Sequence, residues 1–203
     1  MKRFPHKKNE LIAGLDETGR GSLAGPVFAA AVIMKKGTRI VGLDDSKKLI
    51  HPQRLSLRWY IEQKAIDWAI GTASPEEIDK YNILWASFLA MHRALDQLKY
   101  KPDRLIVDGN RFKAYKNIPH ECVVGGDGKF ASIAAASVLA KIYRDEYMIE
   151  LHEKHPHYDW IENKGYPTKK HRDGIVEYGP CAYHRQSFHL YPPPVQLDLF
   201  EEE

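Results

Sequence analysis

Hydrophobic positions along this chain follow two periods in turn. Residues 11–16, LIAGLD, are a short apolar run ending on an acid, and residues 26–34, PVFAAAVIM, are apolar without a break. Both read as strands, the second buried on both faces. QRLSLRWYIEQK has helical character, and AIDWAIGTA after it alternates Ile66, Trp68 and Ile70 as a strand does. Ser74, Pro75 and Glu77 then offer an N-cap, a first-turn proline and the acid of a capping box. Leu84, Phe88, Met91, Leu95 and Leu98 follow at spacings of 4, 3, 4 and 3. That single apolar stripe predicts a helix, stopped by Lys101-Pro102.

Beyond it, RLIVDGN reads as a strand with Asp108 at its carboxyl end and Gly109 in the turn. ECVVGGD repeats the design and ends on Asp127. From about Ala131 the chain is apolar on every helical face through Ile142, which predicts a buried helix that turns polar near Arg144. PTKKHRDGIVEYG reads as a further short helix, and LDDSKKLIHP as a polar loop. There is no internal repeat. The early strands are too closely linked for strand-helix-strand crossovers throughout, so the pattern predicts an α/β protein with a mixed sheet flanked by helices.

Composition narrows the class. The 203 residues suit one domain with room for an appendage, and 43% hydrophobic with 28% charged residues describes a folded globule. No window approaches the roughly 20 apolar residues of a membrane span. MKRFPHKKNE lacks the apolar core of a signal peptide, and Cys122 and Cys181 make neither a disulfide framework nor metal-type spacing. The expectation is a cytoplasmic protein with reduced thiols, monomeric by default. The net charge of +3 is uneven: residues 191–203 hold Asp198 and three glutamates without Lys or Arg, which leaves +7 on residues 1–190. A mildly basic body suits a polyanion such as nucleic acid.

The candidate chemistry lies in the acids. Asp16, Asp108 and Asp127 each follow an apolar run, and Glu17 adjoins the first. Strand ends form the rim where open sheets bind ligands. If the strands carrying Asp16 and Asp108 are neighbours, their carboxylates converge, and crowded carboxylates suit Mg²⁺ or Mn²⁺. Two such ions about 4 Å apart activate water and steady the leaving oxygen in phosphodiester hydrolysis. The same acids also suit solvated turns or helix caps. Gly19-Arg20-Gly21 lets the backbone approach a ligand and offers Arg20 to a phosphate or sugar hydroxyl, although a tight turn after a strand accounts for the glycines equally. The loop lacks the Gly-Lys-Ser/Thr of a nucleotide-triphosphate site.

Taken together, GLDETGRGSLAGPV, DDSKKL, IVDGN, GGDGKFASIAAASVLAKIYRD and NKGYPTKKHR resemble bacterial ribonuclease HII, the type 2 ribonuclease H, over roughly residues 11–190. The resemblance implies a ribonuclease H-like fold with a C-terminal helical extension in residues 1–190. It implies hydrolysis of the RNA strand of RNA–DNA hybrids and incision of duplex DNA 5′ of an embedded ribonucleotide, leaving 3′-hydroxyl and 5′-phosphate. The four-acid motif falls on Asp16, Glu17, Asp108 and Asp127, as ligands of Mn²⁺ or Mg²⁺, two ions with substrate. Asp127 stands six residues before Ile133 of IAAAS, as expected; Asp145 is a competing carboxylate, set aside because it adjoins Arg144 and would pair with it. Gly19, Arg20 and Gly21 would read the ribose 2′-hydroxyl, Tyr166 would pack on the neighbouring sugar at the RNA-to-DNA junction, and Lys47 would sit near a phosphate. A solvated loop for Lys47 and a packing role for Tyr166 are the plain alternatives. Thr18 stands where the family more often has alanine, and Ser22 where it more often has proline.

The neighbouring type, ribonuclease HIII, carries a nucleic-acid-binding domain ahead of the catalytic one, and only 15 residues precede Asp16 here. A non-catalytic binding protein of the same fold would lose an acid, and none is lost. Residues 191–203 carry a second message. YPPP is a stiff spacer, and QLDLF after it resembles the bacterial sliding-clamp-binding motif, in which Gln196, Leu197, Leu199 and Phe200 would fill an apolar groove. The alternative is that these residues fold back on the enzyme.

Overall fold

The computed structural model describes residues 9–35, 37–38, 40, 42–43 and 51–191. Lys47 and the tail residues Gln196, Leu197, Leu199 and Phe200 lie outside them, as does the whole DDSKKL motif. The described residues form a five-stranded sheet in the order β3-β2-β1-β4-β5. β1 (Ile12–Thr18) pairs antiparallel with β2 (Val27–Met34), which pairs antiparallel with β3 (Ala65–Ala73). On its other edge β1 runs parallel to β4 (Arg104–Asp108), and β4 parallel to β5 (His120–Val123). α1 (His51–Lys64) connects β2 to β3, and α2 (Pro75–Asp96) connects β3 to β4. This is the mixed sheet that the sequence predicts.

Strand alternation divides the core. Ala13 and Leu15 of β1 face a layer with Ala86, Ala90, Met91 and Ala94 of α2. Gly14 faces the opposite layer, against α3 (Ala131–Lys154). A Cβ on Gly14 would stand 2.3–2.7 Å from Ser132 and Ile133, so glycine there lets the long helix lie directly on the strand. Asp16, two residues on, points into the same layer.

α2 begins as predicted and ends differently, whereas α1 ends as predicted and begins two residues earlier, inside the expected polar loop. Ser74 Oγ accepts from the Glu77 amide at 3.3 Å, and Glu77 Oε2 accepts from the Ser74 amide at 2.9 Å. Arg93 grips both Glu77 oxygens at 2.7 Å, fixing the first turn to the body of α2. The helix ends at Asp96 rather than at Lys101-Pro102, because its last turn tightens into bonds from Gln97 and Leu98 to carbonyls three residues back. Leu98 still packs on the core as the stripe requires. α2 also breaks at Asn82, whose φ of 65° and ψ of 164° interrupt it; the Asn82 carboxamide caps the restarted helix at the amides of Leu84 and Trp85.

α3 does not become a surface helix near Arg144: Arg144 and Asp145 are both buried. Past it come a 3-10 turn (Pro156–Tyr158), α4 (Trp160–Asn163) and α5 (Lys169–Tyr178). Tyr158, Trp160 and Ile175 of this extension close a third core cluster with Leu23, Ala24 and Met148. The segment after β1 is thereby packed beneath the last described part of the chain.

Candidate active site

The last residues that the parallel strands β1 and β4 pair with each other are Leu15 and Val107. One residue further on each strand is a carboxylate, Asp16 and Asp108, so both acids emerge side by side on the face covered by α3. Asp16 is 6% exposed. Burial raises its pKa well above the usual aspartate value, and the charges of Glu17 and Asp108 push it further. Hydrogen bonds from the Ser137 hydroxyl and, at 2.8 Å, from the Glu17 amide oppose that rise. Glu17 is also raised by burial, with Asp108 adding to it, while Arg20 pulls it down through a 3.1 Å ion pair. Asp108 Oδ1 accepts from the Gly126 amide at 2.6 Å.

Three sequence-predicted acids thus lie within electrostatic reach of one another. Asp127 is held in the 3-10 turn Gly126–Gly128, where its Oδ1 accepts from the Gly128 amide at 2.9 Å. It is not among the charges that act most strongly on Asp16 or Glu17. Among the described residues no three His, Cys, Asp or Glu side chains converge closely enough to hold a metal ion as they stand. Glu17 turns toward Arg20, and Asp127 toward its own turn. The donor set nevertheless has the chemistry a hard divalent cation takes: carboxylate oxygens, two of them on groups raised by burial and mutual repulsion, which a cation would relieve.

Asp145 is the site of a correction. It does not pair with Arg144; its Oδ1 accepts from Lys141 one turn back on α3. Arg144 faces the other way and is spent on main-chain carbonyls, of Pro26 at 3.2 Å, Lys164 at 2.9 Å and Ala24 at 3.2 Å. Arg185 does the same one layer over. Its guanidinium donates to the carbonyls of Gly19 at 2.7 Å, Arg20 at 2.9 Å and Gly25 at 2.8 and 3.0 Å. Burial, with Arg144 nearby, pushes the Arg185 pKa down to about 9. These two residues were not among the sequence candidates. Arg144 left a trace, since it continues the buried stripe Ala136, Ala140, Met148 and Leu151 of α3 at helical spacing. Arg185 left none.

The two arginines define the Gly19-Arg20-Gly21 loop. Gly19 has φ +88°, and a Cβ there would stand 2.1 Å from Arg144 Nε, so the position requires glycine on both counts. Gly21 has open space around it. Because the loop carbonyls turn inward to Arg185, the amides of Arg20 and Gly21 donate to no backbone acceptor among the described residues. Tyr166 lies beside this loop: its half-buried ring is 5.5 Å from Arg144 Cζ, and the Gly165 carbonyl before it accepts from the Leu23 amide at 2.7 Å. His171 Nδ1 contacts the Tyr166 carbonyl at 2.9 Å, and a carbonyl only accepts, so that nitrogen carries the proton. His171 Nε2 is then the acceptor for Trp160 Nε1 at 2.9 Å and for His184 Nε2 at 3.1 Å. His184 Nδ1 accepts from the Cys181 amide at 3.0 Å.

Known proteins resemble this chain over most of its length. A family model described as Ribonuclease HII matches residues 13–191. The chain is 57% identical to a Ribonuclease HII of Phocaeicola vulgatus, over 97% of this chain and 98% of that one. It is 59% identical to a Ribonuclease HII of Bacteroides thetaiotaomicron, over 92% and 94%. The crystal structure of the ribonuclease H2 from Pyrococcus horikoshii superimposes with a TM-score of 0.75 at 25% identity, covering 89% of this chain and 94% of that chain.

Proposed function

The chain belongs to the ribonuclease HII family, and from that premise we propose that Asp16, Glu17, Asp108 and Asp127 are the catalytic carboxylates of an RNA–DNA hybrid endoribonuclease. The reading as an endonuclease that hydrolyses the RNA strand of hybrids follows from membership of the family. The type HIII alternative is not favoured by relatives of type HII at 57–59% identity. The observation that carries the residue assignment is the register of β1 and β4, which brings Asp16 and Asp108 out together.

The family depends on divalent metal, and Mg²⁺ or Mn²⁺ held by these carboxylates would supply charge neutralisation and an activated water. Asp16, Glu17 and Asp108 would be its holders, with Asp127 joining when its turn adjusts. Ser137 and the Glu17 amide keep Asp16 oriented toward the cleft. Arg20 balances Glu17 in the resting site, and its guanidinium is free to turn to a substrate phosphate once Glu17 has another cation. The outward amides of Arg20 and Gly21 would donate to the ribose 2′-hydroxyl, and Tyr166 would pack on the adjoining sugar. Lys47 would contact a neighbouring phosphate. On this reading the enzyme also incises duplex DNA 5′ of a single ribonucleotide, leaving 3′-hydroxyl and 5′-phosphate. Residues 1–190 would form the catalytic domain, and Gln196, Leu197, Leu199 and Phe200 in 191–203 would dock on the sliding clamp; the QLDLF pattern after three prolines supports this.

Three labelled duplexes test the activity: all DNA, DNA with one ribonucleotide, and RNA–DNA hybrid, each with Mg²⁺ or Mn²⁺. The expected result is cleavage of the last two only. Failure to cut the hybrid, or equal cutting of all three, would overturn the reading. For the tail, the clamp should retain the intact chain and not one ending at Pro194.

A further inference from the structure

A cavity of about 450 Å³ opens on the α2 side of the sheet, between α2 and the loop that follows β4. Its wall includes Trp85, Phe88, Phe112, Arg111, Lys113 and Asn110. Asn110 is two residues beyond Asp108, so its Cα is at most about 7 Å away. The aromatic surface is built rather than incidental. Phe88 meets Trp85 edge-on at 5.8 Å and Phe112 at 6.0 Å, and Phe112 meets His92 at 5.4 Å and His120 at 5.2 Å. His92 Nε2 donates to the Lys113 carbonyl at 2.9 Å, which pins the loop to α2. The break at Asn82 restarts the helix three residues before Trp85, and Trp85 remains 46% exposed.

The charges around this cavity are one-sided. Lys113 Nζ stands 5.1 Å from the centre of the Trp85 ring. Arg111 is exposed and makes no hydrogen bond or ion pair among the described residues. No acid lines the cavity. An aromatic wall with one cation over the Trp85 ring and a second in the same lining fits a base and its phosphates, since stacking needs a π-face and the backbone needs positive charge. Bases inside a duplex are already stacked on one another, so the fitting occupant is an unpaired one.

We propose that this cavity binds an unpaired nucleotide of a strand that continues past the cleaved duplex, its base stacked on Trp85 and its phosphates against Arg111 and Lys113. The occupant follows from reading the chain as a hybrid nuclease. Binding is tested with the full chain and a labelled oligothymidylate of about ten nucleotides, which offers no RNA to cleave, by fluorescence anisotropy. Trp85→Leu should weaken binding about 5- to 150-fold, the range for loss of one stacked base, while Trp85→Phe stays within a few-fold of wild type. Arg111→Ala and Lys113→Ala should each flatten the dependence of log affinity on log salt by about 0.7. All four variants should cut a flush-ended hybrid at the wild-type rate, because none of these residues belongs to the acid cluster. Oligothymidylate binding by Trp85→Leu equal to wild type, or none by wild type, would overturn the proposal and leave the aromatics to packing or a protein partner. Stacking-dependent binding in a protein that cuts no hybrid would instead keep this site and remove the nuclease reading.

Discussion

Asp16 and Asp108 stand at the same level on neighbouring parallel strands, each one residue past the last pair that β1 and β4 make with each other. Burial raises the Asp16 pKa, and the charges of Glu17 and then Asp108 add to it. A carboxylate whose folded-state pKa lies above its unfolded value leaves the native state holding more protons. Stability is then present below the unfolded pKa and is lost as pH rises through the folded one. Asp16→Asn should therefore abolish hybrid cleavage yet raise Tm at pH 7, with the gain shrinking toward pH 4. At this size each kcal/mol corresponds to about 2–4 °C. Mn²⁺ should raise the Tm of wild type more than that of the variant. Thermal unfolding with and without Mn²⁺ checks both, and a variant that keeps wild-type turnover would remove Asp16 from the site.

Arg185 should matter to catalysis without touching substrate. Arg185→Ala leaves the carbonyls of Gly19, Arg20 and Gly25 without their buried donor, at about 1–3 kcal/mol for each one not rescued by water. The loop would lose its shape before the sheet lost its fold. The expected outcome is a fall in kcat/KM with poorer discrimination between ribonucleotide-containing and all-DNA duplexes. Gly19→Ala should do likewise, through φ +88° and the Arg144 contact. Kinetics on the two duplexes, beside circular dichroism, separate loop damage from unfolding.

Acid should weaken the extension. Burial holds His171 below the ordinary histidine value and pushes His184 down to about 4. Both are neutral in the native network, and protonating either puts donor against donor. The unfolded chain binds those protons first, so stability is present above pH 6.5 and falls as pH drops from there toward 4. The slope is at most about 1.4 kcal/mol per pH unit per histidine. Urea unfolding from pH 7.5 to 4.5 measures it, and His184→Gln should be less stable at pH 7 with a flatter profile.

Ser22 is fully buried, and its hydroxyl has no hydrogen-bond partner among the described residues. Ser22→Ala removes an unsatisfied group and should add about 1 kcal/mol of stability. Cleavage should stay at the wild-type rate; a lower Tm would reveal a partner for that oxygen.

The strands, the capping box at Ser74 and the acids at strand ends were legible because each leaves a mark in side-chain type: apolar period, cap chemistry, charge after a hydrophobic run. β3 was readable to the residue from the alternation of Ile66, Trp68 and Ile70. Arg185 was not, because its partners are main-chain carbonyls 160 to 166 positions away, and a carbonyl carries no residue identity. Arg144 misled for a related reason. Hydrophobic periodicity scores arginine as polar, whereas three carbonyls make it a core residue. The break in α2 escaped because a period describes where side chains point and not whether one φ changes sign.

The Gly19–Gly25 loop is held by a guanidinium 160 positions downstream. A ribosome must therefore translate through Arg185 before the Gly19–Gly25 loop can set. Nascent chains, and products of premature termination upstream of Arg185, would carry every acid of the site and still lack the shaped loop. Nuclease competence would then wait until Arg185 has been added and has reached the loop.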